Sequence, residues 1–191
     1  GYNIGNANEI IESIETLKGN GPKDLKEVVY TIASLALKAK GEIKELSEGK
    51  EKIDKVIEDR SALKKLKDFI NESGGNGELV NDYTILPMPE GTLEVYSEKA
   101  GYVSKIKAEE IGKAAMIIGA GRATKEDEID HAVGIRILKK VGDKVEKGEK
   151  IAEINYNDKR NIEDSRNMIQ DAYMVTDMNV EKTRTILEII E

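Results

Sequence analysis

Gly119-Ala-Gly-Arg-Ala-Thr-Lys-Glu-Asp-Glu-Ile-Asp-His-Ala-Val-Gly134 runs directly into Ile135-Arg-Ile-Leu-Lys-Lys-Val-Gly-Asp-Lys-Val-Glu-Lys-Gly-Glu149. Gly119 and Gly121 follow the apolar run Ala114 to Ile118, so a buried element stops there and the backbone turns sharply. The ionisable side chains from Arg122 to Asp130 are too dense to be buried without dedicated partners. Val133, Ile135 and Ile137 then recur with the period of a strand. A charged loop between two core elements is either a solvated connector or a functional lid.

Working outward, the rest of this half reads as α+β. Strands are expected at 93–97 and 102–107, around the turn at Ala100-Gly101, and at 133–140 and 150–156. Short helices are expected at 109–118 and 162–172, and two last strands at 173–177 and 185–190, the latter with a helical alternative. The first 75 residues read as helical. Asn6 is a candidate N-cap for a helix carrying Ile10, Ile11, Ile14 and Leu17. Pro22 opens a second helix with Val28, Val29, Ile32 and Leu35 on its apolar face, ending at Gly41. Two amphipathic helices follow at 47–58 and 62–71. Ser73-Gly-Gly-Asn-Gly77, with Pro87 and Pro89 beyond it, predicts an extended linker over 76–91. The expected domains are therefore 1–75, helical, and 92–191, α+β.

Composition bounds the function. A 39% apolar, 35% charged chain is balanced for a folded protein. The net charge of −7 argues against a nucleic-acid surface or an anionic membrane surface. With no cysteine and one histidine, disulfides, thiol catalysis and His/Cys metal clusters are excluded. No stretch approaches the ~20 apolar residues of a membrane helix. A cytoplasmic protein is expected.

Two stretches carry a resemblance. Gly1-Tyr-Asn-Ile-Gly-Asn-Ala-Asn-Glu9 and then Leu17-Lys-Gly-Asn-Gly-Pro-Lys-Asp-Leu25 resemble the segment after the nucleotide-binding core of pyrimidine-nucleoside and thymidine phosphorylases. Gly112-Lys-Ala-Ala-Met-Ile-Ile-Gly-Ala-Gly-Arg-Ala-Thr-Lys-Glu-Asp-Glu-Ile-Asp130 and Lys139-Lys-Val-Gly-Asp-Lys-Val-Glu-Lys-Gly-Glu149 resemble the C-terminal domain of the same enzymes. The similarity runs nearly end to end. It implies an α/β (α+β) protein: a helical remnant of an α/β domain joined to a C-terminal α+β domain of hammerhead or barrel-sandwich type.

The resemblance also implies reversible phosphorolysis, in which phosphate attacks C1′ of a pyrimidine nucleoside to give base and pentose 1-phosphate. It implies phosphate as co-substrate, a cytoplasmic homodimer formed through an N-terminal domain, and no organic cofactor. The family's phosphate loop and base-holding residues have no counterpart in this sequence, so the chain is expected to be a C-terminal fragment without catalytic or substrate-binding residues, inactive alone. By position the resemblance maps a potassium-type monovalent cation site partly onto Asn3, through its carbonyl, and Glu12, through its carboxylate. Asn8 departs from the family's usual leucine. Arg122 is the one cleft-facing loop candidate, and Glu126, Asp127, Glu128 and Asp130 are expected to pair within the loop. The acids do not have calcium-loop spacing. His131 is expected at the surface.

Two readings from other classes stand beside this one. The first is a non-catalytic structural or interaction domain. The second is a biotinyl- or lipoyl-like carrier module, suggested by Val141 to Glu149; Met-Lys-Met and Asp-Lys-Ala, the contexts of its modified lysine, are absent. If the chain lacks the sheet against which its second helix packs, Val28, Val29, Ile32 and Leu35 are left exposed and the isolated chain should self-associate through them. Light scattering that finds a well-behaved monomer would refute this.

Overall fold

The strand expected after the charged loop is β4 (Gly134–Ile137), and it forms because Ile135 and Ile137 turn inward while Arg136 stays exposed. The computed structural model describes residues 1–122 and 124–190; Ala123 of the charged loop and Glu191 lie outside the described residues. These residues divide into two compact units, one holding Gly1, 11–85 and the tail from Arg184, the other holding Tyr2–Ile10 and Leu86–Thr183.

The second unit contains two antiparallel sheets. β1 (Asn3–Gly5), β4, β6 (Lys150–Tyr156) and β2 (Gly91–Tyr96) form one in the order β1-β4-β6-β2. β5 (Lys144–Val145), β3 (Gly101–Ile106) and β7 (Tyr173–Thr176) form the other in the order β5-β3-β7. Helices α5 (Ala108–Ala115) and α6 (Ile162–Ala172) complete it, with α5 running on into a wide turn over Met116–Ala120. Val95, Val103, Ile135, Ile154 and Ile169 are fully buried in one continuous core. Burial of each such side chain stabilises by about 1.5–3 kcal/mol before chain entropy is counted.

β1 was not expected, because three residues are too few to show a period. Its register places Gly5 opposite Gly134. The two backbones are so close that a Cβ on Gly134 would lie 2.6 Å from the Ile4 carbonyl oxygen, and one on Gly5 2.8 Å from that of Val133. Glycine on both strands is the condition for this pairing.

The other unit holds α1 beyond its first turns (α1 spans Asn6–Leu17), α2 (Lys23–Ala39), α3 (Leu46–Glu58) and α4 (Ser61–Glu72). Two expectations fail locally. Asn6 is the first helical residue and not a cap: its amide donates to the Ala120 carbonyl at 3.1 Å, while the Gly5 N–H donates to Glu9. Residues 77–85 are not extended but form 3-10 turns at Gly77–Val80 and Tyr83–Ile85. They fold back because Val80 is buried and the Asn71 side chain accepts from the Gly77 N–H at 2.8 Å. A third correction concerns 185–190, where there is no strand. Ile186, Leu187, Ile189 and Ile190 fall on both parities, so no single face would be apolar. On α2, Val29 and Ile32 are exposed at 39% and 61%, whereas Val28 and Leu35 are half-buried.

Tyr83 links this second turn to α1. Its hydroxyl donates to Glu15 and accepts from the Lys18 ammonium at 2.8 Å. The Tyr83 bond, then the Asn20 bond, hold the Glu15 carboxyl below its usual 4.5 against the opposing effect of burial, with Lys18 adding to the effect. A depressed folded pKa means that this contribution is complete above about pH 4.5 and is lost as pH falls through the folded value. Tyr83→Phe removes the largest cause. Urea titrations at pH 6 and pH 3 should show a smaller stability difference in the variant than in the parent, and an unchanged difference would refute the assignment.

Glycine substitutions test the packing argument directly. Gly134→Ala should destabilise by about 1–3 kcal/mol through overpacking. Gly112→Ala should stabilise by about 0.5–1 kcal/mol, because its helical Cβ meets nothing within 4 Å. Thermal melts of the two variants should therefore move in opposite directions.

Candidate functional site

The site is built where α5 stops. An α-helix ends with carbonyls that have no partner of their own, and here other elements supply the donors. Buried Ser165 on α6 donates to the Ala114 carbonyl at 3.0 Å, and Asn161, just before α6, donates to that of Ile117 at 2.8 Å. The Asp130 N–H donates to the Gly119 carbonyl at 2.9 Å, and Asn6 holds that of Ala120. Gly119 itself sits at φ +100°, a left-handed conformation that lets the chain leave the helix.

Beside this helix end lies a cavity of about 670 Å³ within the second unit. Its wall includes Ile4, Ile10, Leu86, Met116 and Gly121, with Asn6, Glu9 and His131 as its polar side chains. None of its lining residues is a lysine or arginine. The cavity is therefore poorly suited to phosphate, which needs backbone donors and cations converging on it.

Arg122, the expected cleft-facing residue, is exposed immediately after Gly121. His131 is exposed, and its backbone carbonyl accepts from the Ala7 N–H at 3.1 Å. The acids of the loop divide by role. Asp127 accepts from the backbone N–H and the hydroxyl of Thr124, at 2.9 and 3.0 Å, which closes the loop locally. Asp130 is only partly exposed and binds the Ala132 N–H at 3.0 Å and the Asn157 amide at 2.7 Å.

Asn3 stands opposite Arg136 in the β1–β4 ladder. Because the Tyr2 carbonyl accepts from the Ile137 N–H at 2.7 Å, the Asn3 carbonyl is turned away from β4. Glu12 lies on α1 with its carboxylate against Gly1, where any side chain would collide with it. A carbonyl and a carboxylate are hard oxygen donors, which suits a monovalent cation. The two residues lie in different units. Among the described residues, no group of three or more His, Asp or Glu could hold a metal ion, and no helix is long and apolar enough to cross a membrane.

Residues 102–176 match the family model of the pyrimidine nucleoside phosphorylase C-terminal domain. The chain carries that domain. It is 48% identical over 164 residues to the pyrimidine-nucleoside phosphorylase of Bacillus subtilis (strain 168), covering 86% of this chain and 38% of that protein. The pyrimidine-nucleoside phosphorylase of Staphylococcus aureus (strain MSSA476) is 39% identical over 191 residues, covering all of this chain and 44% of that protein. The Geobacillus stearothermophilus protein of the same name is 42% identical over 164 residues, covering 86% and 38%. The chain thus spans about two fifths of the length of the curated relatives it matches.

In the phosphorylase C-terminal domain the polar residues that shape the site are largely asparagines that the sequence did not single out. Asn157 and Asn161 lie between β6 and α6 and act on carbonyls and carboxylates far away in sequence. An Asp two residues before a buried N–H, as at Asp130 and Ala132, is the one local signal available, and it marks a turn rather than a partner.

Proposed function

We propose that this polypeptide acts as the C-terminal part of a pyrimidine-nucleoside phosphorylase and that, by itself, it does not catalyse phosphorolysis. The single observation that carries the reading is the domain match at 102–176 together with relatives of that name, which align along most or all of the chain. The reaction is transfer of a pentosyl group from a pyrimidine base to phosphate. Phosphate oxygen bonds to C1′ as the C1′–N bond breaks, and the base leaves with the bonding electron pair. Such a step requires an anion pocket for phosphate and donors for the charge that develops on the base.

The inactivity of the chain alone is supported by the chemistry of its cavity, where a carboxylate, an imidazole and an amide face aliphatic walls without a cationic side chain. The loop that carries Arg122 serves in this reading as a contact surface toward the substrate cleft. Asn3 and Glu12 contribute oxygen ligands to a potassium-type cation, which would supply fixed positive charge rather than a reacting group. The two sheets with their flanking helices belong, in the same reading, to a barrel-sandwich type of domain. The parent enzyme is a cytoplasmic homodimer whose subunit contacts lie outside these residues.

The 191-residue chain should release no uracil or thymine from a pyrimidine nucleoside in the presence of phosphate. Joined to the N-terminal remainder of the Bacillus subtilis relative, it should turn over in a phosphate-dependent way. Turnover by the chain alone would overturn the claim of inactivity. A folded but inert chimera would count against the phosphorylase reading as a whole.

A further inference from the structure

The charged loop between Gly119 and Asp130 has the composition of a mobile lid, yet its base is tied by polar contacts that converge on one residue, Asp130. The Asp130 N–H closes the loop on the Gly119 carbonyl at 2.9 Å. Its Oδ1 accepts from the Ala132 N–H at 3.0 Å, and its Oδ2 accepts from the Asn157 side-chain amide at 2.7 Å. Asn157 is itself oriented, because its Oδ1 accepts from the Glu90 N–H at 2.7 Å. Asp130 therefore closes the loop on its start through its backbone N–H, and its carboxylate ties the end of the loop to Asn157 in the segment leaving β6, which in turn holds Glu90 before β2. The backbone fits the same arrangement: a Cβ built on Gly119 would lie 3.5 Å from that of Asp130, in ordinary contact.

Nothing in the phosphorylase reading requires this arrangement. A connector of this length and polarity satisfies its charges in water, and its acids stay at the surface. Asp130 instead gives both carboxylate oxygens to protein donors, and the contact with Asn157 is part-buried. Hydrogen bonds to a charged acceptor away from bulk water are the stronger ones, and leaving either partner unmatched there is costly.

We propose that Asp130 is a positioning residue whose side chain latches the end of the charged loop onto the segment leaving β6, so that the base of the loop, with Arg122 beside its other end, is held in place rather than free to swing as a lid. The purpose of holding Arg122 there rests on the phosphorylase reading, but the latch does not, and it can be tested in this chain without any activity. A loop tied at its base resists proteases, because cleavage requires local opening to a flexible conformation. Trypsin sites lie in the loop at Arg122 and Lys125.

The experiment is limited trypsinolysis of the full chain, read by mass spectrometry, with circular dichroism to confirm folding. Asp130→Ala and Asn157→Ala should each speed cleavage at Arg122 and Lys125 by about tenfold, as expected for loss of charge-assisted bonds at the base. Glu126→Gln, which removes a charge from the same loop outside the latch, should leave the rate unchanged. The reciprocal pair Asp130→Asn with Asn157→Asp decides the matter. In it the amide at 130 donates to the carboxylate at 157, the remaining oxygen at 157 still accepts from Glu90, and that at 130 still accepts from Ala132. This double variant should restore resistance that Asp130→Asn alone loses, which a merely destabilised fold would not do. If the Ala variants fail to fold, the comparison between Asp130→Asn and the reciprocal pair still decides. Equal cleavage of the parent and Asp130→Asn, or failure of the reciprocal pair to rescue, would overturn the proposal. A chimera that proves inert while the reciprocal pair rescues would remove the functional reading and leave the latch standing.

Discussion

The carbonyl groups where α5 and its wide turn end have no partners within the helix, and the second unit is arranged around supplying donors to them. Ser165 and Asn161 come from α6 and its N-cap, Asn6 from α1 and the Asp130 N–H from the charged loop, so the helix end is the point through which these three are tied to one another. Loss of any one donor leaves an acceptor short of its bond, and at the buried Ala114 carbonyl removal of the Ser165 donor costs about 1–3 kcal/mol. Satisfaction of this terminus thus constrains the positions of several elements that have no sequence relation to it.

The β1–β4 contact obeys a second constraint of the same kind. Two glycines face each other, and the strands approach to a distance that no side chain permits. The start of α1 follows immediately, which is how Asn6 reaches the helix end and how Ala7 comes to donate to the His131 carbonyl. The cavity beside these contacts is a consequence of the geometry. Its aliphatic lining and single carboxylate make it a packing feature at the loop base rather than an anion site.

Much of this was legible in the residues. The apolar periods placed α2, α3, α4, α6 and β6 within two residues of their observed bounds, because burial of one face sets a local repeat whatever lies against it. The glycine at 119 marked where the wide turn after α5 leaves the helical path, because a left-handed conformation there favours that residue. The failures share a cause. β1 is too short to show a period, the turns at 77–85 form because Val80 is buried, and the tail beyond residue 184 lacks a face to pair.

The sequence by itself determined where the longer helices and strands lie, that the loop from Arg122 to Asp130 is polar, and to which domain family residues 102–176 belong. Those properties follow from local patterning, from residue chemistry and from likeness along the chain. Only the tertiary structure decided that Asp130 pairs with Asn157, that Asn6 serves the helix end instead of capping its own helix, and that the Asn3 carbonyl turns away from β4. A side-chain amide or carboxylate has the same local signature whether it meets water or a partner a hundred residues away. The choice is made by whichever acceptors the folded core leaves unsatisfied.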